Sequence, residues 1–398
     1  MTTPRISCIA LAVAALAVPM ASHSATNTTP QLYVDVATHE MAGMPAIGRM
    51  AMGMFGGKSQ VSYGMTRMPG MPGQYLDIAL YTGANPAPDA SQAIPAGLRL
   101  GSSLPLLSTP RDTQTSTSGS SAGAVADGGE HTSRILIYWG CGTEVRKGQP
   151  REIRISVKNG KADISGSMPQ GRNSPAKAID PGPEYALWPN KRNGKQVPDR
   201  ASLVGEHQVS GAGVPASMRF TLEQAQDFMP KIALSSRGSM ADGMTWDWKP
   251  VTRATGYFLN AVGQRDDAMV MWSSAESAEP GAGLLDYLPE TTVAKWVGER
   301  VLLGPQVNSC AMPRGIFGSQ GAGVMQMIAY GPERQIAWPP RPASSKAAWK
   351  PEWNVRVRAK STAFAPLGMN GASGPGEQQG PADESKPVKK LLRGLLGH

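Results

Sequence analysis

The residues of this sequence with the clearest chemistry are methionines that recur at short intervals near the amino terminus. The chain has 21 Met, and eight of them fall between residues 41 and 71. Thioether sulfurs are soft ligands that select Cu(I), so the spacing of Met65, Met68 and Met71, with His39 nearby, suits a copper site. Clustered Met also suits an apolar segment that packs irregularly on a core, a membrane or a partner. We favour this second interpretation and keep copper as the alternative cofactor, with no cofactor as the first prediction.

Cysteine offers a second kind of chemistry. The chain has three Cys, and Cys8 lies in an apolar run at the amino terminus. In an oxidising compartment the other two, Cys141 and Cys310, most simply pair with each other. The alternative is two separate buried thiols. Neither residue has a CxxC partner or a nearby His, so we predict a structural disulfide rather than a metal or catalytic role.

Catalytic motifs are weak. Residues 119–123 spell GxSxG, but they lie in a Ser/Gly-rich stretch rather than in the tight strand-to-helix turn that exposes a nucleophilic serine. The five His form no HxH or HxxxH pair of the kind that zinc sites use. A carboxylate pair assembled from distant strands, as in glycosidases, stays open. We therefore predict a non-enzymatic binding or cell-envelope-associated protein, with a periplasmic Cu(I)-binding protein as the first alternative and an extracytoplasmic hydrolase as the second.

The amino terminus predicts export. Arg5 precedes an apolar run over residues 6–18, and small residues follow at 22–25. This layout is typical of a cleaved signal peptide over residues 1–25, and the run is shorter than the roughly 20 apolar residues that span a bilayer. We expect a periplasmic or secreted protein, and the sequence leaves open which of the two.

The charge balance points to acidic partners without identifying one. A formal net charge of +9 favours anionic lipid, polysaccharide or nucleic acid. The Lys and Arg are scattered along the chain, however, and nucleic acid is an unusual partner outside the cytoplasm. We predict no nucleic-acid binding and interpret the charge mainly as a contribution to solubility.

The elements that would position these residues are mostly strands. With 46 Gly and 34 Pro the chain must turn often, which favours strands over long helices. Apolar and polar residues alternate over 74–81, the period expected of a half-buried strand. β-prone runs occur at 134–139 and 151–157, and a Ser, Thr and Gly-rich stretch separates the first of them from the amino-terminal part.

Three β-prone runs with short connections follow at 246–251, 254–263 and 267–272. The first two resemble the WxPVxxAxxYxV strand pair of fibronectin type III and related immunoglobulin-like sandwiches. That resemblance implies that Trp248 packs against Tyr257 in the core. A helical pattern at 289–303, which a plain fibronectin module lacks, predicts an inserted amphipathic helix.

The predicted fold class is mostly β, with β-sandwich-type domains, one inserted amphipathic helix, and a disordered linker and tail. The predicted organisation is a signal peptide (1–25), an amino-terminal Met-rich β region (26–107), a flexible linker (108–132), a β-rich domain (133–243), a fibronectin III-like sandwich with an inserted helix (244–365) and a disordered spacer with a basic amphipathic tail (366–398).

The carboxy-terminal tail combines an apolar stripe with a basic face. Such a segment suits adsorption to an anionic membrane surface or contact with an envelope protein. The alternative is that it docks on the protein's own body or frays. The residues predicted to make the contact are Lys389, Lys390, Leu391, Leu392, Arg393 and Leu395.

Overall fold

A computed structural model describes residues 28–43, 60–68, 71–108, 131–158, 161–175, 179, 181–318, 321–342 and 349–368. These residues are mostly β, with one α-helix and short 3-10 turns, which confirms the predicted fold class. The predicted signal peptide, the linker residues 109–130 and the basic tail lie outside the described residues. The strands are β1 (Gln31–Met41), β2 (Gly73–Tyr81), β3 (Ala90–Ala93), β4 (Ser103–Ser108), β5 (His131–Trp139), β6 (Arg151–Lys158), β7 (Lys161–Ser165), β8 (Tyr185–Trp188), β9 (Gly205–Gly211), β10 (Arg219–Leu222), β11 (Leu234–Ser239), β12 (Gly243–Trp248), β13 (Gly256–Arg265), β14 (Ala268–Ser273), β15 (Ser309–Met312), β16 (Ala322–Trp338) and β17 (Trp353–Leu367), and the helix is α1 (Glu290–Gly298).

The strands form two sheets. The large sheet has 14 strands in the order β10-β9-β3-β4-β8-β2-β1-β17-β16-β13-β14-β5-β6-β7, and the small sheet has three in the order β11-β12-β15. Most neighbours are antiparallel, but β1 pairs in parallel with β17, and β5 pairs in parallel with β14. The large sheet therefore runs through all three predicted β regions, and the predicted domain boundaries stay a prediction.

One large hydrophobic core covers one face of the large sheet, which we call the inner face. It includes Leu32 and Val34 of β1 and also Trp248 of the small sheet, so the small sheet packs against this face. Trp248 and Tyr257, the pair that the resemblance singled out, are both buried, with ring centroids 5.5 Å apart in an edge-to-face contact. The Tyr257 hydroxyl also accepts a hydrogen bond from the Val251 backbone at 3.0 Å.

A second apolar cluster lies on the opposite, outer face of β13 and β16. There α1 buries Val293 and Trp296 together with Phe258 of β13. The sequence pattern extends the helix to residue 303, but the helix ends at Gly298. Arg300 adopts a left-handed φ of 58°, a conformation that stops helices. Val301 is still buried in the same cluster, from a bend rather than from a helix.

The predicted disulfide between Cys141 and Cys310 is present, with a Cα–Cα distance of 5.1 Å. Cys141 follows β5 of the large sheet, and Cys310 lies on β15 of the small sheet. The bond therefore ties the two sheets together across a sequence separation of 169 residues.

We expect thiol titration of the denatured, unreduced protein lacking residues 1–25 to find no free thiol. Reduction should lower the free energy of unfolding by about 4–5 kcal/mol, because a long closed loop restricts the unfolded chain. Denaturant unfolding with and without reductant measures this effect. A Cys141→Ser/Cys310→Ser variant is the control and should not respond to reductant. Two titratable thiols per chain would show that the bond does not form.

Candidate functional site

A row of charged side chains lies on the outer face of β1 and β17. Successive strand residues point to opposite faces of a sheet, so the alternation of Val355 and Val357 with Arg356, Arg358 and Lys360 puts the three cations on one side. On β1 the same period puts Asp35 on that side. In the sheet Asp35 lies beside Arg358 on β17 and opposite Asp77 on β2.

Asp35 and Arg358 form a buried, bidentate ion pair. The Arg358 Nε and Nη2 donate to the two Asp35 carboxylate oxygens at 2.8 and 2.7 Å, and both side chains are 2% exposed. Arg67 Nη2 donates to the same carboxylate at 2.8 Å. Burial opposes ionisation of Asp35, but Arg358 and Arg67 outweigh it, so the pKa of Asp35 lies below its ordinary value.

Lys360 continues the row and is also buried, at 1% exposure. Its Nζ lies 3.5 Å from an Asp286 carboxylate oxygen and 4.4 Å from the ring centroid of Tyr287. The Arg358 guanidinium lies over the same ring at 4.5 Å. Burial lowers the pKa of Lys360 to about 8, although Asp286 favours the charged form. The loop that carries Asp286 and Tyr287 therefore closes over two cations of β17.

Residues 60–68, which we call the cover segment, close over the neighbouring part of this face. The Thr66 backbone N–H donates to Asp77 Oδ2 at 3.2 Å, and the Thr66 hydroxyl donates to the same oxygen. The other Asp77 oxygen is buried without a hydrogen-bond partner among the described residues. Burial raises the pKa of Asp77 to about 6, and the nearby Asp35 acts in the same direction.

His39 holds the cover segment from β1. Its Nδ1 lies 2.7 Å from the Thr362 hydroxyl, and its Nε2 lies 3.1 Å from the Met65 backbone oxygen. Burial lowers the pKa of His39 to about 3, and Lys360 adds to this effect. Both ring nitrogens therefore have protein partners, and the ring is neutral near pH 7.

The three methionines predicted as metal ligands lie at or just beyond the end of this segment. Met65 and Met71 are half-buried, while Met68 is 51% exposed. The backbone oxygens of Met65 and Met71 accept hydrogen bonds, the second from the Tyr75 hydroxyl at 3.0 Å. No group of three or more His, Cys, Asp or Glu within the described ranges could hold a metal ion. Copper binding by the sulfurs stays a prediction.

A groove opens on the outer face where β1, β16 and β17 meet. Its volume is about 750 Å³, and its lining includes Tyr33, Gln335, Arg341, Trp349 and Arg356. The Arg356 guanidinium lies 4.7 Å from the ring centroid of Tyr33, and the Arg341 guanidinium lies 5.7 Å from that of Trp349. The described lining therefore combines cations, aromatic rings and amides with the apolar residues Leu32, Ile336, Ala337 and Pro340.

Arg356 differs from the two other cations of its row because no carboxylate of the described residues forms an ion pair with it. Its Nε and Nη2 are buried and have no hydrogen-bond partner among the described residues. Burial and the neighbouring Arg358 both lower the pKa of Arg356, while Asp35 and Glu333 act against them from a distance. The groove lining therefore includes a guanidinium that is partly shielded from water and has no ion-pair partner within the described ranges.

Sequence reasoning missed the groove and the charges behind it. The signal was present in β17, where Arg356, Arg358 and Lys360 alternate with apolar residues, and in β1, where Asp35 lies between Val34 and Val36. A charge at every second position of an otherwise apolar strand indicates a polar face that needs counter-ions. The tail residues predicted to contact a membrane or envelope protein lie outside the described residues.

No helix in the described part of the chain is long and apolar enough to cross a membrane. Comparison with known proteins gives no match to a protein-family model, to a curated protein or to a solved structure. What the chain does therefore has to be argued from its own geometry.

We expect Asp35→Asn to lower the free energy of unfolding by about 3–5 kcal/mol, because it leaves Arg358 buried without its counter-ion, while Arg67 keeps its ion pair with Asp286. The denaturant midpoint measures the effect. Adding Arg358→Met to the variant should recover part of the loss, since the double change removes the unpaired charge. A double variant that loses the sum of both single effects would contradict this account.

We expect Asp77→Asn to change how stability depends on pH. The folded-state pKa of Asp77 is about 6 against an ordinary value of 3.8, so the folded state favours the protonated acid. The stabilisation of the folded protein by protonated Asp77 is complete below pH 4 and is lost as the pH rises through 6. The free energy of unfolding changes by up to about 3 kcal/mol over this range for this reason. The difference in unfolding free energy between wild type and variant should therefore fall over this range.

The comparison of the two proteins, rather than the wild-type curve alone, isolates Asp77. His39 acts in the opposite direction, because its lowered pKa makes stability fall as the pH drops below 6.5. Asp89→Asn at an exposed position is the matched control and should give a difference that is flat with pH. Parallel stability curves for wild type and Asp77→Asn would contradict the prediction.

Proposed function

We propose that this chain is an exported, non-enzymatic binding protein that holds an anionic ligand in the groove between β1, β16 and β17. One observation carries the proposal: Arg356 Nε and Nη2 are buried in the protein without a hydrogen-bond partner among the described residues. A buried polar group without a partner costs free energy, and a guanidinium is best satisfied by a carboxylate or phosphate that accepts two parallel hydrogen bonds. An anion bound in the groove would supply the counter-charge that Arg356 lacks, and a small movement of the lining would bring its oxygens to Nε and Nη2.

The buried ion pairs behind the groove support this assignment. Arg358 and Arg67 share Asp35, and Lys360 is paired with Asp286. Asp35 and Asp286 are therefore paired with other cations, whereas Glu333, which lies near Arg356, accepts a hydrogen bond from Gln335 and forms no ion pair within the described residues. Arg356 keeps a positive charge without an ion-pair partner among the described residues, and this charge faces the groove. The groove volume of about 750 Å³ also lies within the range of roughly 300–1,000 Å³ that is common for small-ligand sites.

The lining favours binding over catalysis. The described residues that line the groove include no carboxylate, imidazole, thiol or aliphatic hydroxyl, the groups that most often act as general bases or nucleophiles. The only hydroxyl in this lining is the phenol of Tyr33, whose pKa burial raises above its ordinary value despite the nearby Arg356. An oriented cation with aromatic and amide neighbours can hold an anion but offers it little reaction chemistry.

The strand order supports the proposed kinship with immunoglobulin-like sandwiches. In such folds two antiparallel sheets pack on one another, with strands A, B, E and D in one sheet and C, F and G in the other, and the variable type adds C' to the second sheet. Here β11, β12 and β15 form the small sheet, and β14, β13, β16 and β17 are neighbours in that order in the large sheet. The edge-to-face contact between Trp248 and Tyr257 joins the two sheets. The inserted segment with α1 falls between β14 and β15.

Export remains part of the proposal. It is supported by the signal-peptide pattern of residues 1–25 and by the disulfide between Cys141 and Cys310, a bond that persists in oxidising compartments. Contact of the tail with an anionic membrane or an envelope protein, and Cu(I) binding by the methionines, stay predictions that no feature of the described residues favours over anion binding.

We expect the protein lacking residues 1–25 to bind at least one of inorganic phosphate, citrate and glucuronate in calorimetric titrations at low salt, and not to bind glucose. Arg356→Gln should weaken that binding by about tenfold or more, since hydrogen bonds between two charged groups are worth about 1.5–3 kcal/mol. Arg356→Lys should retain only part of the wild-type affinity, because an ammonium group lacks the planar arrangement of N–H donors with which a guanidinium binds two oxygens at once.

Arg151→Gln is the matched control. Arg151 is exposed on β6, so this variant changes the net charge by the same amount without touching the groove. Equal losses in Arg356→Gln and Arg151→Gln would mean that only the overall charge attracts anions. Absence of binding by all three anions would contradict the proposed function.

A further inference from the structure

We infer that the ligand of this groove is an acidic saccharide, a sugar chain with carboxylate or sulfate groups. This inference rests on the proposed anion-binding function and adds the chemistry of the rest of the ligand. The inference is argued from the aromatic rings, from the amide side chains and from the two exposed arginines, Arg334 and Arg341, that line the groove together with Arg356.

Two aromatic rings line the groove, and both are fixed. The Tyr33 hydroxyl donates to the Gln31 side-chain oxygen, and the Arg356 guanidinium lies over the Tyr33 ring. The Trp349 Nε1 donates to the Pro339 backbone oxygen at 3.0 Å, on the segment that follows β16. Rigid aromatic faces give large apolar contact at a low entropic cost. The C–H face of a sugar ring can use such a surface, and a bare phosphate cannot.

Among the described residues, the amide side chains of Gln31, Gln335 and Asn354 also line the groove. An amide group carries both a donor and an acceptor, which matches sugar hydroxyls, since these also donate and accept. The Gln31 oxygen already accepts from the Tyr33 hydroxyl, and inorganic phosphate has fewer hydroxyl donors than a sugar chain to offer the oxygens of Gln335 and Asn354. The amides therefore favour a ligand that carries hydroxyl groups beside its charge.

The arginines differ in exposure in a way that suits a chain with repeated charges. Arg356 is partly buried, whereas Arg334 and Arg341, which also line the groove, are exposed. A single small anion would be satisfied by Arg356 alone. Charges that repeat along a saccharide would meet the exposed arginines as well, and such contacts are weakened by salt.

The test measures the binding of six probes to the protein lacking residues 1–25. Calorimetric titration is used for the soluble probes and co-sedimentation for the vesicles. The probes are tetragalacturonate, a heparin tetrasaccharide, neutral maltotetraose, inorganic phosphate, and vesicles of anionic phospholipid. A short oligothymidylate serves as a sixth probe, because nucleic acid also combines charge with rings that stack.

We expect one of the two acidic tetrasaccharides to bind at least tenfold more tightly than maltotetraose or phosphate; which one binds better separates carboxylate from sulfate recognition. Trp349→Ala should weaken the tetrasaccharide by about tenfold, as expected for the loss of an aromatic face contact, and leave phosphate binding unchanged. Trp349→Phe retains a ring and should keep most of the affinity. This second variant separates the loss of stacking from a loss of folding.

Arg356→Gln should weaken both the tetrasaccharide and phosphate. If phosphate binds as tightly as the tetrasaccharides and Trp349→Ala affects neither, the saccharide inference is wrong while anion binding stands. If vesicles or oligothymidylate bind most tightly through Arg356, the inference is also wrong. If Arg356→Gln changes the binding of none of the probes, both the proposed anion-binding function and the saccharide inference are wrong.

Discussion

The fold on the outer side of the large sheet depends on one buried ion pair. Asp35 and Arg358 lie on adjacent parallel strands, and neither could be buried there without the other, because removing a charge from water costs several kcal/mol unless a partner compensates it. Their bidentate hydrogen bonds fix the register of β1 against β17, since a slip of one strand by one residue would turn its charge into the apolar inner core and leave the other charge buried without its partner. Pairing of charges here serves to specify one arrangement of strands.

The arrangement of the remaining charges follows from this pair. Arg67 reaches Asp35 from the cover segment, and Asp286 reaches Lys360 from the loop before α1. Both covering segments are therefore held by complementary charge rather than by apolar packing alone. Arg356 forms no ion pair with any of these acids in the described part of the chain, and the proposed anion site depends on that positive charge.

The sequence indicates the strands better than it indicates the charge network. The alternation in residues 74–81 predicts β2, and the runs around Trp248 and Tyr257 predict β12 and β13 with small errors at their ends. β1 has the same period-two pattern but went unrecognised, because Asp35 and His39 interrupt its apolar residues on one face. The pairing of Asp35 with Arg358 joins residues 323 positions apart, and no local pattern can specify it. The helix was predicted too long because Val301 has helical spacing although the left-handed Arg300 has already ended the helix.

The parallel pairing of β1 with β17 constrains the order in which the protein can fold. The first described strand pairs with the last described strand, so this part of the sheet cannot form while residues 354–364 are still being synthesised. Native contacts this distant in sequence are associated with slow folding. β1 therefore stays unpaired along one edge until the carboxy-terminal strand is available, a property that is compatible with the proposed export of the protein.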